Sequence, residues 1–393
     1  MLDLTARTQT PKTAAEVVEL VADAGAMGRP LEIIGGGTKR GVGAVEADSV
    51  LSLAGLDQVI DYAPEELVLT AQAGVTLASL ETLVAAQGQM LPFEPPHLNR
   101  LLKTKGEPTL GGALAANLSG PRRIWAGAAR DHFLGLQAVT GRGELVKAGG
   151  RVVKNVTGYD LCKLIAGSWG TLAVLTEVTI KVLPAARAER TLLFFGLDDG
   201  RANAAMVQAM NAPAEVSGAA HLPQAVAARA PLDGRMAVTA LRLEGFEASV
   251  AARADHLAAA LKGFGPSETL DGRLSRDFWL QVREVEAFHN DPRRLWRLCV
   301  PPSVGWKVGQ ALAGEAIYDW GGGLVWLASD AEPAAVRSAI RALGGHATLY
   351  RGDGPTFEPL AGPLAALTAR VKAAFDPKGV LNPGRMGPSG ATV

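Results

Sequence analysis

The sequence predicts an α+β protein of two or three domains. Its 393 residues set this number, because one domain usually takes ~100–200 residues. In the first region, helix and strand patterns follow one another without a regular βαβ alternation. After Pro184 the composition changes, and Ala- and Arg-rich helices alternate with short strands. This second pattern is typical of an antiparallel sheet with helices on one face.

The composition excludes several classes of protein. Lys and Arg number 39, and so do Asp and Glu, so that the formal charge of zero argues against nucleic acid or anionic lipid as the main partner. With 48% hydrophobic and 20% charged residues, a disordered chain is excluded. Cys162 and Cys299 form no CxxC motif and the histidines are scattered, so no metal site is expected and a reducing compartment is favoured. We therefore expect a cytoplasmic protein without a membrane span.

The elements of the first region follow from capping residues and periodicity. Thr13 and Glu16 form a capping box that begins a helix, which Gly25 or Gly28 ends. A strand over 31–34 then runs directly into three glycines. The remaining patterns predict a strand over 67–73, a helix over 77–86, a hairpin of 136–140 with 144–148, and a period-2 strand over 172–182.

The second region carries shorter and more uniform patterns. Helices are expected over 200–211, 247–262, 303–314 and 332–343, and strands near 191–196, 237–243, 295–300, 324–328 and 346–350. A last helix over 364–375 stops at Asp376 and Pro377, and the proline- and glycine-rich segment after it is expected to form a fixed loop.

The glycine-rich stretch after the first long strand is a candidate anion site. It consists of Gly35, Gly36, Gly37, Thr38 and Lys39, where bare backbone lets successive N–H groups converge on one anion. The spacing fits neither the dinucleotide fingerprint GxGxxG nor the phosphate loop GxxxxGK[ST], so an ordinary Rossmann or kinase fold is excluded. Taken alone, the stretch is equally compatible with a flexible turn.

Further stretches, in a fixed order along the chain, add to this pattern. Their residues are Pro108, Thr109, Leu110, Gly111 and Gly112, then Asn117 and Gly120, then Arg130 and Asp131, and finally Gly170, Thr171 and Val174. Together with the glycine loop they resemble the FAD-binding domain of the vanillyl-alcohol oxidase/p-cresol methylhydroxylase (PCMH) family. The resemblance implies that the first loop holds the FAD pyrophosphate, the second stretch the ribityl chain and isoalloxazine, and the last the adenine and ribose.

The resemblance also implies a domain organisation. It predicts an α+β protein in which a two-subdomain PCMH-type FAD-binding domain spans 1–184 and an α/β cap domain with an antiparallel sheet spans 185–355. The segment 356–393 is expected to return to the FAD domain, where Asn382 and Arg385 reach the flavin.

Within this family, two stretches are similar to the flavoprotein subunits of glycolate oxidase. They are the run 155–164 and the ending 375–386, and the loop 94–97 and the chain length resemble the shorter of the two subunits. This implies oxidation of a small 2-hydroxy acid, with a second flavoprotein and an iron–sulfur subunit as partners, and membrane contact only through those partners. The alternatives are a non-catalytic subunit that holds FAD for a partner, and an autonomous D-lactate-type dehydrogenase.

Two departures from the family pattern sharpen the cofactor prediction. Thr38 stands where relatives often carry the histidine that bonds covalently to flavin, so non-covalent FAD is expected, with Cys162 as a buried apolar residue. The run from His346 to Gly354 lacks the histidine spacing of the family's metal motif, so no metal is expected.

Oxidation of a 2-hydroxy acid requires a cation for the carboxylate and a base for the hydroxyl proton. Arg297 lies between apolar neighbours on a predicted strand and is the first candidate for the carboxylate, with Arg351 and Arg385 as further candidates. His289 is the candidate base. The alternatives are an exposed arginine at a sheet edge and a histidine that caps a helix end.

Overall fold

The computed structural model describes residues 7–151, 158–229 and 236–387, so the first residues of the 155–164 run lie outside the description. The first half contains, in chain order, β1 (Thr8–Gln9), α1 (Ala14–Met27), β2 (Leu31–Ile34), β3 (Ser49–Ser52), β4 (Val59–Ala63), β5 (Val68–Gln72), α2 (Leu77–Ala85), β6 (Gln89–Met90), α3 (Leu110–Ala115), α4 (Arg123–Ala126), β7 (Phe133–Thr140), β8 (Leu145–Gly149), α5 (Leu161–Ile165), β9 (Ala173–Lys181) and β10 (Leu183–Pro184).

These elements form a small parallel sheet of order β1-β3-β2 and an antiparallel sheet of order β4-β5-β9-β7-β8. Helix α1 begins as predicted at Thr13, whose hydroxyl accepts a hydrogen bond from the Glu16 N–H, and it ends at Gly28 with φ of 61°. The predicted hairpin is confirmed by the pairing of β7 with β8. One apolar core joins both sheets, with Val21, Leu77 and Val178 fully buried in it.

The second half contains, in order, β11 (Ala188–Phe195), α6 (Asp199–Asn211), β12 (Val216–Leu222), α7 (Gln224–Ala227), β13 (Val238–Gly245), α8 (Glu247–Ala260), β14 (Ser267–Asp271), α9 (Gly272–Glu284), β15 (Leu295–Cys299), α10 (Val308–Ala311), β16 (Glu315–Asp319), β17 (Leu324–Ala328), α11 (Pro333–Ala342), β18 (His346–Arg351) and α12 (Gly362–Phe375). Within the described residues, one antiparallel sheet runs β14-β11-β13-β12-β16-β17-β15-β18. The α+β fold class is thereby confirmed, whereas the division at residues 184 and 355 stays a prediction.

The two faces of this large sheet pack differently. On one face, α6, α8 and α11 cover alternate strand residues such as Leu241 and Val325. On the other face, Ala240 and Trp326 pack with α9 and with the first half of the chain. The prediction of helices on one face only was therefore wrong, because α9 and the first half cover the second face.

Several predicted elements of the second half also differ from the structure. The stretch predicted as a helix over 303–314 is a 3₁₀ helix over Pro302–Lys307 followed by the short α10. Pro301 fixes the start of this stretch, and Gly305 and Gly309 weaken helical continuity. Strands β12, β14 and β16 and helix α9 were not predicted. Strand β12 is buried along its whole length, so its sequence shows no alternation.

The end of the chain packs against the first sheet. The Leu31 N–H donates to the Val380 carbonyl at 2.8 Å, and the Asn382 N–H donates to the Leu31 carbonyl at 3.0 Å. The side-chain oxygen of Asn382 accepts a hydrogen bond from the Ile33 N–H at 2.7 Å. These contacts extend β2 and place Arg385 beside the glycine-rich loop that follows it.

A buried charge cluster joins the first half of the chain to the large sheet. Arg242 on β13 donates two hydrogen bonds of 2.9 Å to the carboxylate of Glu94. Arg122 pairs with Glu244 at 2.8 Å and with Glu94 at 3.2 Å. Arg242 and Arg122 hold the pKa of Glu94 at about 2 although burial opposes this. We define these four residues as the interdomain charge cluster.

Candidate functional site

The described residues form a cleft of about 680 Å³, open to solvent, between the small parallel sheet and the sheet that contains β9. It is built from three stretches that lie far apart in the sequence. The loop after β2 forms one wall, α3 forms the second, and the start of β9 together with the chain end forms the third. Predicted site residues that line the cleft are Gly35, Gly36, Gly37, Thr38, Lys39, Thr109, Gly111, Gly112, Gly170 and Arg385.

The glycines are required because two backbone segments touch here. A Cβ atom on Gly36 would lie 1.7 Å from the Glu107 carbonyl oxygen, and one on Gly35 would lie 2.2 Å from the Thr109 hydroxyl. Thr109 caps α3, since its hydroxyl accepts a hydrogen bond from the Gly112 N–H. The loop therefore presents bare backbone to the cleft, as expected for a site that holds an anionic group.

The cleft carries more positive than negative charge. The half-buried Lys39 donates to the Thr38 hydroxyl at 3.1 Å, and no carboxylate among the described residues pairs with it. Arg385 is buried, and its Nε and Nη2 atoms have no hydrogen-bond partner in the described part of the chain. Glu32 lies 3.7 Å from Arg385 but is already hydrogen-bonded to Arg40. Two cations thus remain for an anion in the cleft.

Comparison with known proteins decides the family. A family model described as "FAD binding domain" matches residues 6–149. Over 365 residues the chain is 37% identical to glycolate oxidase subunit GlcE of Escherichia coli (strain K12), which covers 91% of this chain and 92% of that protein. The chain belongs to the GlcE family. The predicted resemblance is confirmed, and FAD is the cofactor that this family assignment supports.

Another relative matches less than half of the chain. Glycolate oxidase subunit GlcD of Bacillus subtilis (strain 168) is 30% identical over 185 residues, which is 47% of this chain and 38% of that protein.

Among solved structures, p-cresol methylhydroxylase with bound substrate has a TM-score of 0.69 at 14% identity, covering 97% of this chain and 88% of that one. An alkyldihydroxyacetonephosphate synthase has a TM-score of 0.69 at 17% identity, covering 96% and 75%. GlcE-family members and these enzymes thus share the PCMH-type fold.

The residues of the cleft fit the diphosphate of FAD. The loop offers backbone that carries no side chain, and Lys39 pairs with no carboxylate of the described residues. The buried Arg385 lies 3.7 Å from Glu32, and its Nε and Nη2 atoms have no hydrogen-bond partner in that part of the chain. These residues would hold the pyrophosphate, and the Thr109 to Gly112 stretch would lie along the flavin.

Other predicted cofactor residues lie behind the lining or beside it. Leu110 and Val174 are fully buried in the core, and the Pro108 carbonyl accepts a hydrogen bond from Leu77. Gly120 packs against the Glu94 carbonyl, and Thr171 donates to the Ser168 carbonyl. Asn117 accepts from the Arg130 N–H, Asp131 accepts from the Ala128 N–H, and Asn382 links β2 to Trp169. Their roles in binding the cofactor stay predictions.

Of the candidate catalytic residues, Arg385 lines the cleft, and Arg351, His289 and Arg297 do not. Arg351 donates to the carbonyls of Leu101, Phe288 and Asp291. His289 shares a hydrogen bond of 2.9 Å with the Glu284 carbonyl. Arg297 lies on β15, where its Nη1 atom donates to the Cys299 sulfur at 3.3 Å, and it lines a small pocket together with Asp319 and Trp326. The structure brings none of the three together, and their catalytic roles stay predictions.

The sequence analysis missed several lining residues. Ala115, the last residue of α3, and Ala116 after it line the cleft wall, and Trp169, which has a φ of 55°, stands beside Gly170. Trp169 also makes edge contacts with Tyr350 and Phe357, so it bridges the cleft to the large sheet. Small residues directly after the glycine pair were a usable signal for Ala115 and Ala116, whereas the aromatic contacts of Trp169 depend on the tertiary fold.

The charge of Lys39 makes FAD binding depend on pH. Burial, and secondly Arg385, lower the pKa of Lys39 to about 8. A bound diphosphate favours the protonated amine, so FAD affinity is expected to be constant below pH 8 and to fall above it by at most about tenfold per pH unit. Titration of the apoprotein with FAD between pH 6.5 and 9.5 measures this. Lys39→Met should bind weakly without this pH dependence, whereas the exposed Lys262→Met should behave like wild type; a flat wild-type profile would contradict the assignment.

Proposed function

We propose that this chain is the FAD-binding subunit of a glycolate oxidase complex that oxidises glycolate to glyoxylate. The proposal is carried by the similarity to GlcE over nine-tenths of both chains together with a cleft whose unpaired cations fit FAD. When bound, FAD supplies the acceptor for the hydride that leaves the hydroxyl-bearing carbon. The residues of this chain hold the cofactor by its phosphates, and close backbone packing keeps side chains out of the glycine loop.

We further propose that a second flavoprotein and an iron–sulfur subunit complete the complex. A dehydrogenase must pass its electrons on, and two cysteines are too few for an iron–sulfur cluster held by four thiolates. The described residues contain no group of three metal-ligating side chains and no helix long and apolar enough to cross a membrane. A cytoplasmic complex with membrane contact only through the partners is consistent with these findings.

A second candidate function is a subunit that holds FAD for a catalytic partner. One observation favours it. Arg351 and His289 are hydrogen-bonded to backbone carbonyls, and neither of them lines the cleft, nor does Arg297. Such a subunit would contribute electron transfer or assembly, and the partner flavoprotein would oxidise the substrate.

Reduction of the flavin by glycolate tests these proposals. We expect weak or no glycolate-dependent dye reduction by the isolated chain, and restored activity after co-expression with both partner subunits. The flavin spectrum is recorded anaerobically with glycolate for the chain alone and for the complex. Bleaching of this chain's flavin inside the complex supports a catalytic subunit, and bleaching of the partner's flavin alone supports the second candidate. Full turnover by the isolated chain would contradict both and indicate an autonomous dehydrogenase.

The attachment of FAD is tested separately. Because Thr38 lies in the loop where relatives carry a flavin-linked histidine, we expect acid or heat denaturation to release intact FAD into the supernatant. Flavin absorbance in the supernatant and the mass of the precipitated chain measure this. A chain mass increased by the mass of FAD would contradict non-covalent binding.

A further inference from the structure

A second cavity opens on the large sheet, separate from the cleft that is lined by the glycine loop. It encloses about 970 Å³ open to solvent, and its lining shares no residue with that of the cleft. Arg123 and Asp131 line it from the first half of the chain, and Cys299, Trp320 and His346 line it from the second. Of these residues, only Asp131 is among the predicted cofactor residues.

The thiol of Cys299 is the reactive group of this cavity. Arg297 Nη1 donates to the Cys299 sulfur at 3.3 Å, and His346 is the partner of Cys299 in the pairing of β15 with β18. Burial alone would raise the pKa of Cys299, but the charge of Arg297, a hydrogen bond with His346 and the charge of Arg123 lower it to about 7. The same hydrogen bond raises the pKa of His346. Cys299 and His346 thus lie opposite each other on β15 and β18, and each favours the charged form of the other.

Two arginines place positive charge near the sulfur: Arg123 lines the cavity, and Arg297 contacts Cys299 from outside the lining. The guanidinium carbons of Arg123 and Arg297 lie 4.2 and 5.1 Å from the centre of the Trp320 ring. No carboxylate among the described residues forms an ion pair with either arginine. The acidic groups nearby are Asp131, which accepts from the Ala128 N–H, and the buried Asp319, whose pKa burial raises to about 7. A small carboxylate would therefore find two cations beside the sulfur.

We propose that Cys299, His346, Arg123 and Arg297 form a reactive-thiol site for small electrophiles that carry a carboxylate, such as an aldehyde acid. Arg123 in the lining binds the carboxylate, Arg297 beside the sulfur stabilises the thiolate, and the thiolate sulfur attacks the aldehyde carbon. A carbon–sulfur bond forms while the carbonyl π pair moves to oxygen, which takes the proton of the His346 imidazolium. The product is a reversible hemithioacetal, and no electron is exchanged with a further reactant.

The chain contains its own control for this reactivity. Cys162 is buried, and burial raises its pKa to about 12, so it is expected to stay unmodified in the folded protein. Labelling of Cys162 therefore reports unfolding, and labelling of Cys299 alone reports the site.

Competing alkylation by iodoacetate and iodoacetamide tests the proposal. Both reagents form a carbon–sulfur bond and release iodide, and they differ in that only iodoacetate carries a charge. We expect peptide mapping by mass spectrometry to show faster labelling of Cys299 by iodoacetate, which reverses the usual preference of thiols for the neutral amide. Equal labelling, or faster labelling by iodoacetamide, would overturn the proposal.

Variants assign the preference to the cavity. Arg123→Met should lower the ratio of iodoacetate to iodoacetamide rates about tenfold, because one cation near the sulfur is lost. Lys307→Met removes a cation that lies over Trp306 outside the cavity lining and should leave the ratio unchanged. Glyoxylate should slow labelling reversibly and more than propionaldehyde at equal concentration, and His346→Gln should weaken this protection. An unchanged ratio in Arg123→Met with Cys162 still unlabelled would overturn the site.

Discussion

Substitution of Gly36 by glutamate is expected to abolish FAD binding. The added Cβ would lie 1.7 Å from the Glu107 carbonyl oxygen, so the loop has to move away from the segment that precedes α3. The new carboxylate would also stand beside Lys39 and repel the diphosphate. We expect FAD affinity to fall roughly a hundredfold or more, so that the protein purifies without yellow colour. Flavin absorbance per chain and FAD titration measure this.

Gly41→Glu is the matched control for Gly36→Glu. It adds the same side chain five residues further on, where a Cβ would meet no atom within 4 Å. This variant should keep its flavin. Arg385→Met removes a buried cation from the same cleft without adding charge, and it should weaken FAD binding while circular dichroism stays unchanged. A Gly36→Glu protein with full flavin content would show that the loop is an ordinary turn.

Local sequence signals predicted α1, β2, β5, α2, β7, β8 and β9 of the first half, whereas β3, β4 and the short helices α3, α4 and α5 were not predicted. The cap at Thr13 and the left-handed glycine at position 28 set the ends of α1 within a turn. Glycine runs also located much of the cleft, since backbone that must pass within van der Waals contact of other backbone admits no side chain. Of the missed elements, β12 is buried on both faces and shows no alternation, whereas α9 buries Ser275, Phe278, Trp279 and Val282 at helical spacing, a signal that the sequence does carry.

Three candidate catalytic residues lie away from the cleft, and their catalytic roles stay predictions. Arg297, Arg351 and His289 were chosen by residue type and by the polarity of their neighbours, and these signals do not say what a side chain contacts. In the structure Arg351 donates to three carbonyls from two distant segments of the chain, that of Leu101 and those of Phe288 and Asp291. Such contacts between distant segments are set by the tertiary fold, as is the pairing of Cys299 with His346 across two strands.

The interdomain charge cluster is expected to contribute strongly to the stability of the contact between the first half of the chain and the large sheet. Arg242 is 1% exposed and holds both oxygens of Glu94, and Glu244 lies 3.5 Å from its Nε atom. In Arg242→Met, these carboxylates keep only Arg122 as a cationic partner within the cluster. Removing one partner of a buried ion pair leaves uncompensated charge, so we expect a loss of about 3–5 kcal/mol in the free energy of unfolding. Urea unfolding of the FAD-free protein, followed by tryptophan fluorescence, measures it.

The same cluster fixes how this loss depends on pH. Because its arginines hold the pKa of Glu94 at about 2, against 4.5 for an ordinary glutamate, the stabilisation is complete above pH 4.5 and is lost as pH falls towards 2. In Arg242→Met the pKa of Glu94 is expected to rise, so the difference from wild type should shrink below pH 4.5. Arg273→Met, which breaks the exposed pair with Asp277, should change the free energy of unfolding by at most about 0.5 kcal/mol at any of these pH values. Equal losses for the two variants at pH 7 would show that the buried cluster contributes no more than a surface ion pair.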